Sequence, residues 1–319
     1  MNEFEIIKRY FQNLTKDNKS SLYLNDDVFF DKSKKIVISF DLYIVIYHFV
    51  DFKKPQLVIK KILRSSISDL ICKGVKPKYY FIAGSGNSRS FSALNLKKIF
   101  KSLYQEQKKY NIYLGGGDTV FSNKLTFTIT TVGFSNSIIQ RNNAKLDDDI
   151  YVTGNLGDSY IGLNILQKKI NVKKKLKNYF EQKYYRPTLF FGLLKKLKTI
   201  ANTSIDISDG LIADLEKLIN KQELSYKIYL NEVPISKNLK KLIDLKKIRK
   251  VSCVSNGDDY QILFTARPSK YRIIIKLAKS LGIKISKIGK ICSPSVNSEF
   301  LDEKGKKITL KNKGYRHKF

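Results

Sequence analysis

The chain has 319 residues, enough for a sizeable buried core built as one large or two modest domains, and at 42% hydrophobic residues it is a globular protein rather than a disordered tail. Lys and Arg number 60 against 28 Asp and Glu, a formal charge of +32, which fits either a nucleic-acid binder or a compositional bias toward Lys. The spread of Lys along the whole chain favours the bias, and the positive field would still attract anionic substrates such as nucleotides and phosphate esters.

The N-terminus, MNEFEIIKRY, carries charge early and has no long apolar run, so no signal peptide is expected. Ile36–Phe40 is β-branched and apolar and reads as a strand that ends at Asp41. The apolar stretch from Ile36 to Val50 is interrupted by Asp41 and too short for a bilayer, so the expected location is cytoplasmic. Leu57 to Lys73 carries apolar residues at helical spacing, with Gly74 and Pro77 as stops. Phe91 to Tyr110 also reads as a helix, followed by short strands at Asn111–Leu114 and Leu125–Val132.

A second series begins near Asp149. Ile150–Thr153 is strand-like, Gly157 opens a helix, and Pro187–Thr199 reads as another amphipathic helix. Ser204–Ile207 is a short apolar piece before Asp209-Gly210, Leu211–Asn220 is helical, and Tyr226–Leu230, Tyr260–Thr265 and Ile283–Ile291 are strand candidates. The mixture indicates an α/β or α+β protein with a junction around residues 135–150. Cys72, Cys253 and Cys292 lack CxxC spacing or a nearby His, which points to reduced thiols rather than zinc or disulfides.

Against the lysine background, aspartates recur beside Gly, Ser or Asn. Asp26-Asp27 lies in YLNDDVFF, Asp41 in VISFD and Asp69 in SISDL. Asp118 follows three glycines in LGGGDT, Asp206 and Asp209 lie in IDISDGL, and Asp258-Asp259 lies in SNGDDYQ. Each alone is an ordinary turn or capping residue. Several converging on one cleft would suit magnesium ions, which take one or two carboxylates each and complete their shells with water and substrate phosphates. Such ions neutralise a triphosphate during phosphoryl transfer. No Walker GxxxxGK[ST] motif is present, so phosphates would be held by metal and backbone amides. Three glycines before Asp118 would permit close backbone approach to a ligand.

These motifs in this order resemble the thiamine-monophosphate kinase family, of the fold group shared with aminoimidazole-ribonucleotide (AIR) synthetase and selenophosphate synthetase. The resemblance runs from FEIIKRYF through NDD, ISFD, His48-Phe49, ISDLICKGVKP, LGGGDT, Arg141, YVTGNLGDS, Arg186-Pro187, SIDISDGL and GDDYQILFT to KGYRH. It implies a two-domain PurM/AIR synthetase-like fold, with an N-terminal mixed-sheet domain over residues 1–140 and a C-terminal α/β domain over 141–319. It also implies a magnesium-dependent homodimer that moves the γ-phosphoryl of ATP onto thiamine monophosphate. By resemblance Asp27, Ser39, Asp41, Asp69, Asp118, Asp206 and Asp209 fall at metal positions, with Asp41 and Asp118 the pair on which catalysis would depend. Gly117, Asp118, Arg141 and Ser208 match nucleotide positions, and His48, Asp258 and Asn312 match positions facing thiamine monophosphate.

The physical reading supports part of this set. Ser39 and Asp41 are two residues apart on a strand and share a face, and Arg141 can pair with a phosphate through its planar fork. The chain departs from the family pattern at several positions. Leu24-Asn25 replaces a glycine-rich lead, Phe40 a small hydroxyl residue, Ser66 an Asn, Asp258 a Glu and Asn312 an aromatic. The alternatives are another ATP-dependent enzyme of the same group, a homologue that binds nucleotide without catalysis, or a basic nucleic-acid-binding protein.

Overall fold

A computed structural model describes residues 3–246, 248–302, 304–310 and 312–315. Two mixed sheets carry the fold. The first contains β1 (Phe29–Asp31), β2 (Ile36–Ile44), β3 (Pro77–Gly86), β4 (Tyr113–Phe121) and β5 (Thr126–Phe134), in the order β1-β2-β5-β3-β4. Its pairs are antiparallel except β3 with β4. The second contains β6 (Asp149–Thr153), β7 (Thr203–Asp206), β8 (Ser225–Tyr229), β9 (Ile262–Ala266), β10 (Ile285–Cys292) and β11 (Glu299–Leu301), in the order β11-β8-β10-β6-β9-β7.

The helices are α1 (Glu3–Ile6), α2 (Pro55–Cys72), α3 (Ala93–Tyr110), α4 (Asp158–Leu166), α5 (Lys174–Tyr185), α6 (Leu194–Ile200), α7 (Leu211–Leu218), α8 (Lys237–Lys246), α9 (Lys250–Val254) and α10 (Tyr271–Leu281). Among the described residues no helix is long and apolar enough to cross a membrane.

Helix α2 organises the molecule. Pro55 occupies its first turn, where a missing N–H costs nothing. Apolar residues recur on more than one face, so the helix is buried almost all round. One side packs on β2, β5 and β3, while the other meets α3, β7 and α5. A single apolar cluster therefore runs from Ile62, Tyr80 and Ile129 of the first half to Tyr151, Leu197 and Phe264 of the second. The polar residues that α2 carries into this environment, Lys61, Arg64, Ser65, Ser66 and Ser68, are buried too and must find partners there.

Several sequence expectations change. Asp41 lies within a nine-residue strand rather than at a strand end, and Asp118 sits inside β4 rather than in a turn. The long helix expected over Pro187–Thr199 is a 3-10 turn at Phe191–Leu193 followed by α6 alone. Arg316 and His317 of the KGYRH segment lie outside the described residues.

Just before the Asp26-Asp27 pair, Leu22, Tyr23 and Leu24 have φ of 50°, 55° and 53°. Side chains with a Cβ resist this left-handed region. We expect Leu24→Gly to raise stability by about 0.5–1 kcal/mol in urea unfolding; a loss of stability would show that the Leu24 side chain outweighs its backbone strain.

Candidate active site

Strand β2, helix α2 and strand β7 bring three carboxylates together. Ser39 and Asp41 share the inner face of β2, where Ser39 Oγ donates to Asp69 Oδ2 at 2.5 Å. Phe40, between them, points to the outer face and is 68% exposed. Asp69 comes from the last turn of α2, and Asp206 closes β7 from the second half, 2% exposed. The Tyr43 and Ser66 hydroxyls lie 2.9 Å apart beside them.

The three acids act on one another. Burial raises Asp41 above the usual carboxylate range. Burial, then the charges of Asp41 and Asp206, push Asp69 up further. Asp206 is pushed up to about 6, chiefly by burial, with repulsion from Asp214 and Asp41 adding and a hydrogen bond from Ser68 opposing. Asp41 Oδ2 and Asp206 Oδ2 are buried with no hydrogen-bond partner among the described residues. A buried carboxylate oxygen without a donor is costly unless a cation satisfies it, so this donor set fits a hard divalent ion. Among the described residues no three acidic, His or Cys side chains enclose one point. The set therefore suits ions that keep water and phosphate in their shells.

Asp26 and Asp27 are already neutralised by the protein. Lys73, with 0% of its side chain exposed, reaches Asp26 Oδ1 at 2.7 Å and Asp27 Oδ2 at 3.0 Å. Arg141 Nε donates to Asp27 Oδ2 at 3.1 Å and its Nη2 to Asp27 Oδ1, while its backbone N–H donates to Asp26 Oδ2 at 2.9 Å. Asp27, expected at a metal position, and Arg141, expected at a nucleotide position, thus hold each other.

Asp118 is not brought to this group. In the register, Gly117 lines up with Ile82, Ile129 and Asp41, and Asp118 with Ala83, Thr128 and Leu42. Alternation places Asp118 on the opposite, exposed face of the sheet from Asp41. The glycines before it have a packing reason. A Cβ on Gly117 would stand 1.8 Å from the Ile82 carbonyl, and one on Gly115 2.6 Å from the Phe81 ring, beside a register shift between Tyr80 and Phe81.

Asp209 lies at the entry to α7, ion-paired with Lys217 at 2.5 Å. Its backbone N–H donates to Asp214 Oδ2 at 2.9 Å and its carbonyl accepts from the Tyr315 N–H at 2.9 Å. The segments carrying Asp206 and Asp258 run side by side: the Asp258 N–H donates to the Ser208 carbonyl at 2.8 Å, and a Cβ on Gly257 would stand 1.7 Å from that carbonyl.

Asp258 Oδ1 pairs with buried Lys61 at 2.6 Å and accepts from the Tyr260 hydroxyl at 3.2 Å. Lys61 Nζ also lies 4.1 Å from the Tyr184 ring centroid. The Tyr184 hydroxyl in turn donates to the His48 carbonyl at 3.2 Å, and His48 Nδ1 accepts from the Ile44 N–H at 3.0 Å. Lys61 and Tyr184 thus tie together two of the acceptor-facing candidates. Asn312, the third, is exposed and turns its Oδ1 to the Gly314 N–H at 3.2 Å.

Sequence reasoning missed Lys61, Tyr43, Lys73 and the capping role of Asp259, whose Oδ2 accepts from the Gly157 N–H at 2.8 Å at the start of α4. One of these carried a signal: Tyr43 shares the face of Ser39 and Asp41.

Four matches relate the chain to known proteins. The family profile described as AIR synthase related protein, N-terminal domain, matches residues 24–135. The thiamine-monophosphate kinase of Buchnera aphidicola subsp. Schizaphis graminum is 33% identical over 323 residues, covering 99% of this chain and 98% of its own. That of Haemophilus influenzae is 32% identical over 298 residues, covering 91% and 89%. A solved structure of AaThiL complexed with AMPPCP and TMP matches with a TM-score of 0.84 at 25% identity, covering 99% of this chain and 97% of the other. The two mixed sheets and their helices are thus a PurM-like, AIR synthetase-related fold.

Proposed function

Because the chain belongs to the thiamine-monophosphate kinase family, we propose that it transfers the γ-phosphoryl group of ATP to the phosphate of thiamine monophosphate, giving thiamine diphosphate and ADP. The observation that carries the reading is the group of Asp41, Asp69 and Asp206, drawn from both halves and holding two buried oxygens without a partner among the described residues. Magnesium held by these residues would neutralise charge on the transferring phosphoryl group. The protein's own part is positional. Ser39 orients Asp69, Tyr43 and Ser66 support the group beside Asp41, and Arg141 is a fork within reach of any phosphate that displaces it from Asp27. The acceptor phosphate oxygen is itself a nucleophile, so a direct in-line transfer needs no strong general base and no covalent enzyme intermediate. His48, Asp258 and Asn312 are assigned to the acceptor side, with Asp258 held by Lys61; Gly117 and Ser208 are assigned to the nucleotide, and Asp118 and Asp209 to outlying metal positions.

Incubating the purified protein with thiamine monophosphate, ATP and magnesium should yield thiamine diphosphate and ADP in equal amounts. Absence of thiamine diphosphate at high enzyme load would contradict the reading.

The reading includes a cytoplasmic homodimer with an N-terminal domain over 1–140 and a C-terminal domain over 141–319. The outer face of the first sheet supports the dimer. Phe40, Leu42, Phe81, Tyr113 and Phe134 are all exposed there, an apolar face of the kind that marks an association surface. Phe40→Lys should run as a monomer in size-exclusion chromatography with light scattering while the wild type runs as a dimer. A monomeric wild type would rule the dimer out. Asp118 lies on this face, so its metal role would be played at the seam.

A further inference from the structure

The acidic residues divide into two sets that differ in how their charge is met. In the open set, Asp41 and Asp206 each keep a buried oxygen without a partner among the described residues. In the closed set every oxygen is engaged. Asp26 Oδ1 takes Lys73 Nζ and the Asp27 N–H, and Asp26 Oδ2 takes the Arg141 N–H. Asp27 Oδ1 takes Arg141 Nη2, and Asp27 Oδ2 takes both Lys73 Nζ and Arg141 Nε.

The lysine is as saturated as the acids. An ammonium has three donors, and Lys73 Nζ has three acceptors: Asp26 Oδ1 at 2.7 Å, Asp27 Oδ2 at 3.0 Å and the Ser204 carbonyl at 2.8 Å. That carbonyl belongs to β7, two residues before Asp206, so the ammonium bridges the first half to the strand that carries the open set. Its side chain is fully buried. A lone ammonium in such a place would be strongly penalised, but two adjacent carboxylates and a carbonyl at contact distance are an oxygen-rich shell of the kind a hard cation takes.

We propose that Lys73 is a built-in cation that fills a divalent-ion position. On this assignment its ammonium stands between Asp26 and Asp27 where a metal ion would otherwise bind, so Asp27 ligates no metal and the central ions gather at Asp41, Asp69 and Asp206. The assignment rests on the magnesium reading above and narrows it: the closed set needs no magnesium, and the open set does.

The test counts bound ions. Manganese is titrated into the full-length, nucleotide-free chain, and free Mn2+ is read from its electron paramagnetic resonance signal. Lys73→Met removes the charge and keeps an apolar stem, and it should bind one more Mn2+ per chain than the wild type. An equal count, in a variant whose circular dichroism matches the wild type, would overturn the assignment. Should Lys73→Met fail to fold, Asp27→Asn decides: it should retain the wild-type count, and loss of one ion would overturn the assignment. No uptake by the wild type with one ion gained by Lys73→Met supports the role of Lys73 while contradicting the magnesium reading. No uptake by either overturns both.

Discussion

Asp206→Asn is expected to lower turnover by about three orders of magnitude, since a charge-neutralising ion contributes several kcal/mol to the transition state, while leaving the fold intact. The unusual part is the stability of the ion-free protein. Asp206 is raised from the ordinary aspartate value of 3.8 to about 6 in the fold, so the native state holds its proton more tightly than the unfolded chain. Stability is then lost as pH rises through the window between those values. Asp41 and Asp69 shift in the same direction, also through burial. The ion-free wild type should therefore melt at a lower temperature at pH 8 than at pH 5. Magnesium should reverse the loss at pH 8, because it binds the ionised native site. The Asn variant should show a flatter pH profile and a smaller magnesium effect. A variant that turns over like the wild type, or melts far below it at pH 8, would contradict the placement of Asp206 in a metal-binding group.

Glu106→Ala is expected to cost about 3–5 kcal/mol of stability, the range for breaking a buried ion pair from one side. Glu106 is 1% exposed and receives Arg64 Nε at 2.7 Å and Nη2 at 3.0 Å. The third arm of Arg64 donates to the Pro187 carbonyl at 3.0 Å, so one side chain joins α2, α3 and the second half. Truncating Glu106 leaves a buried guanidinium without its carboxylate. Urea unfolding measures the loss, and Glu106→Gln should recover part of it. A cost below about 1 kcal/mol would show that the pair is no better than a surface one.

The elements that could be read in the sequence are those whose pattern has one dominant period. α2, α3, β5 and β6 fall close to where spacing predicts them. β3 escaped because Pro77 reads as a helix stop, yet it also opens a ten-residue strand. α5, KKLKNYFEQKYY, escaped because its Lys-rich face hides the buried Phe180, Tyr184 and Tyr185.

The site divides in the same way. Local spacing places Ser39 and Asp41 on one face, and the order of motifs suggests a common cleft. Spacing says nothing of which acids meet, because Asp206 reaches Asp41 and Asp69 only through the packing of β7 on α2. Nor does it give the face of Asp118, which depends on a register shift between β3 and β4. Lys73 was hidden by composition: among 60 Lys and Arg, one more lysine at a helix end carries no signal. Only its enclosure by Asp26, Asp27 and Ser204 sets it apart.

The central claim is that Asp41, Asp69 and Asp206 form the metal-binding side of a phosphoryl-transfer site. Crystals of the full chain grown with AMPPCP and manganese would test it most directly, through anomalous density. The account predicts Mn2+ peaks beside the Asp41 and Asp206 carboxylates, against the triphosphate. Nucleotide bound elsewhere, or a triphosphate with no peak at these carboxylates, would contradict it.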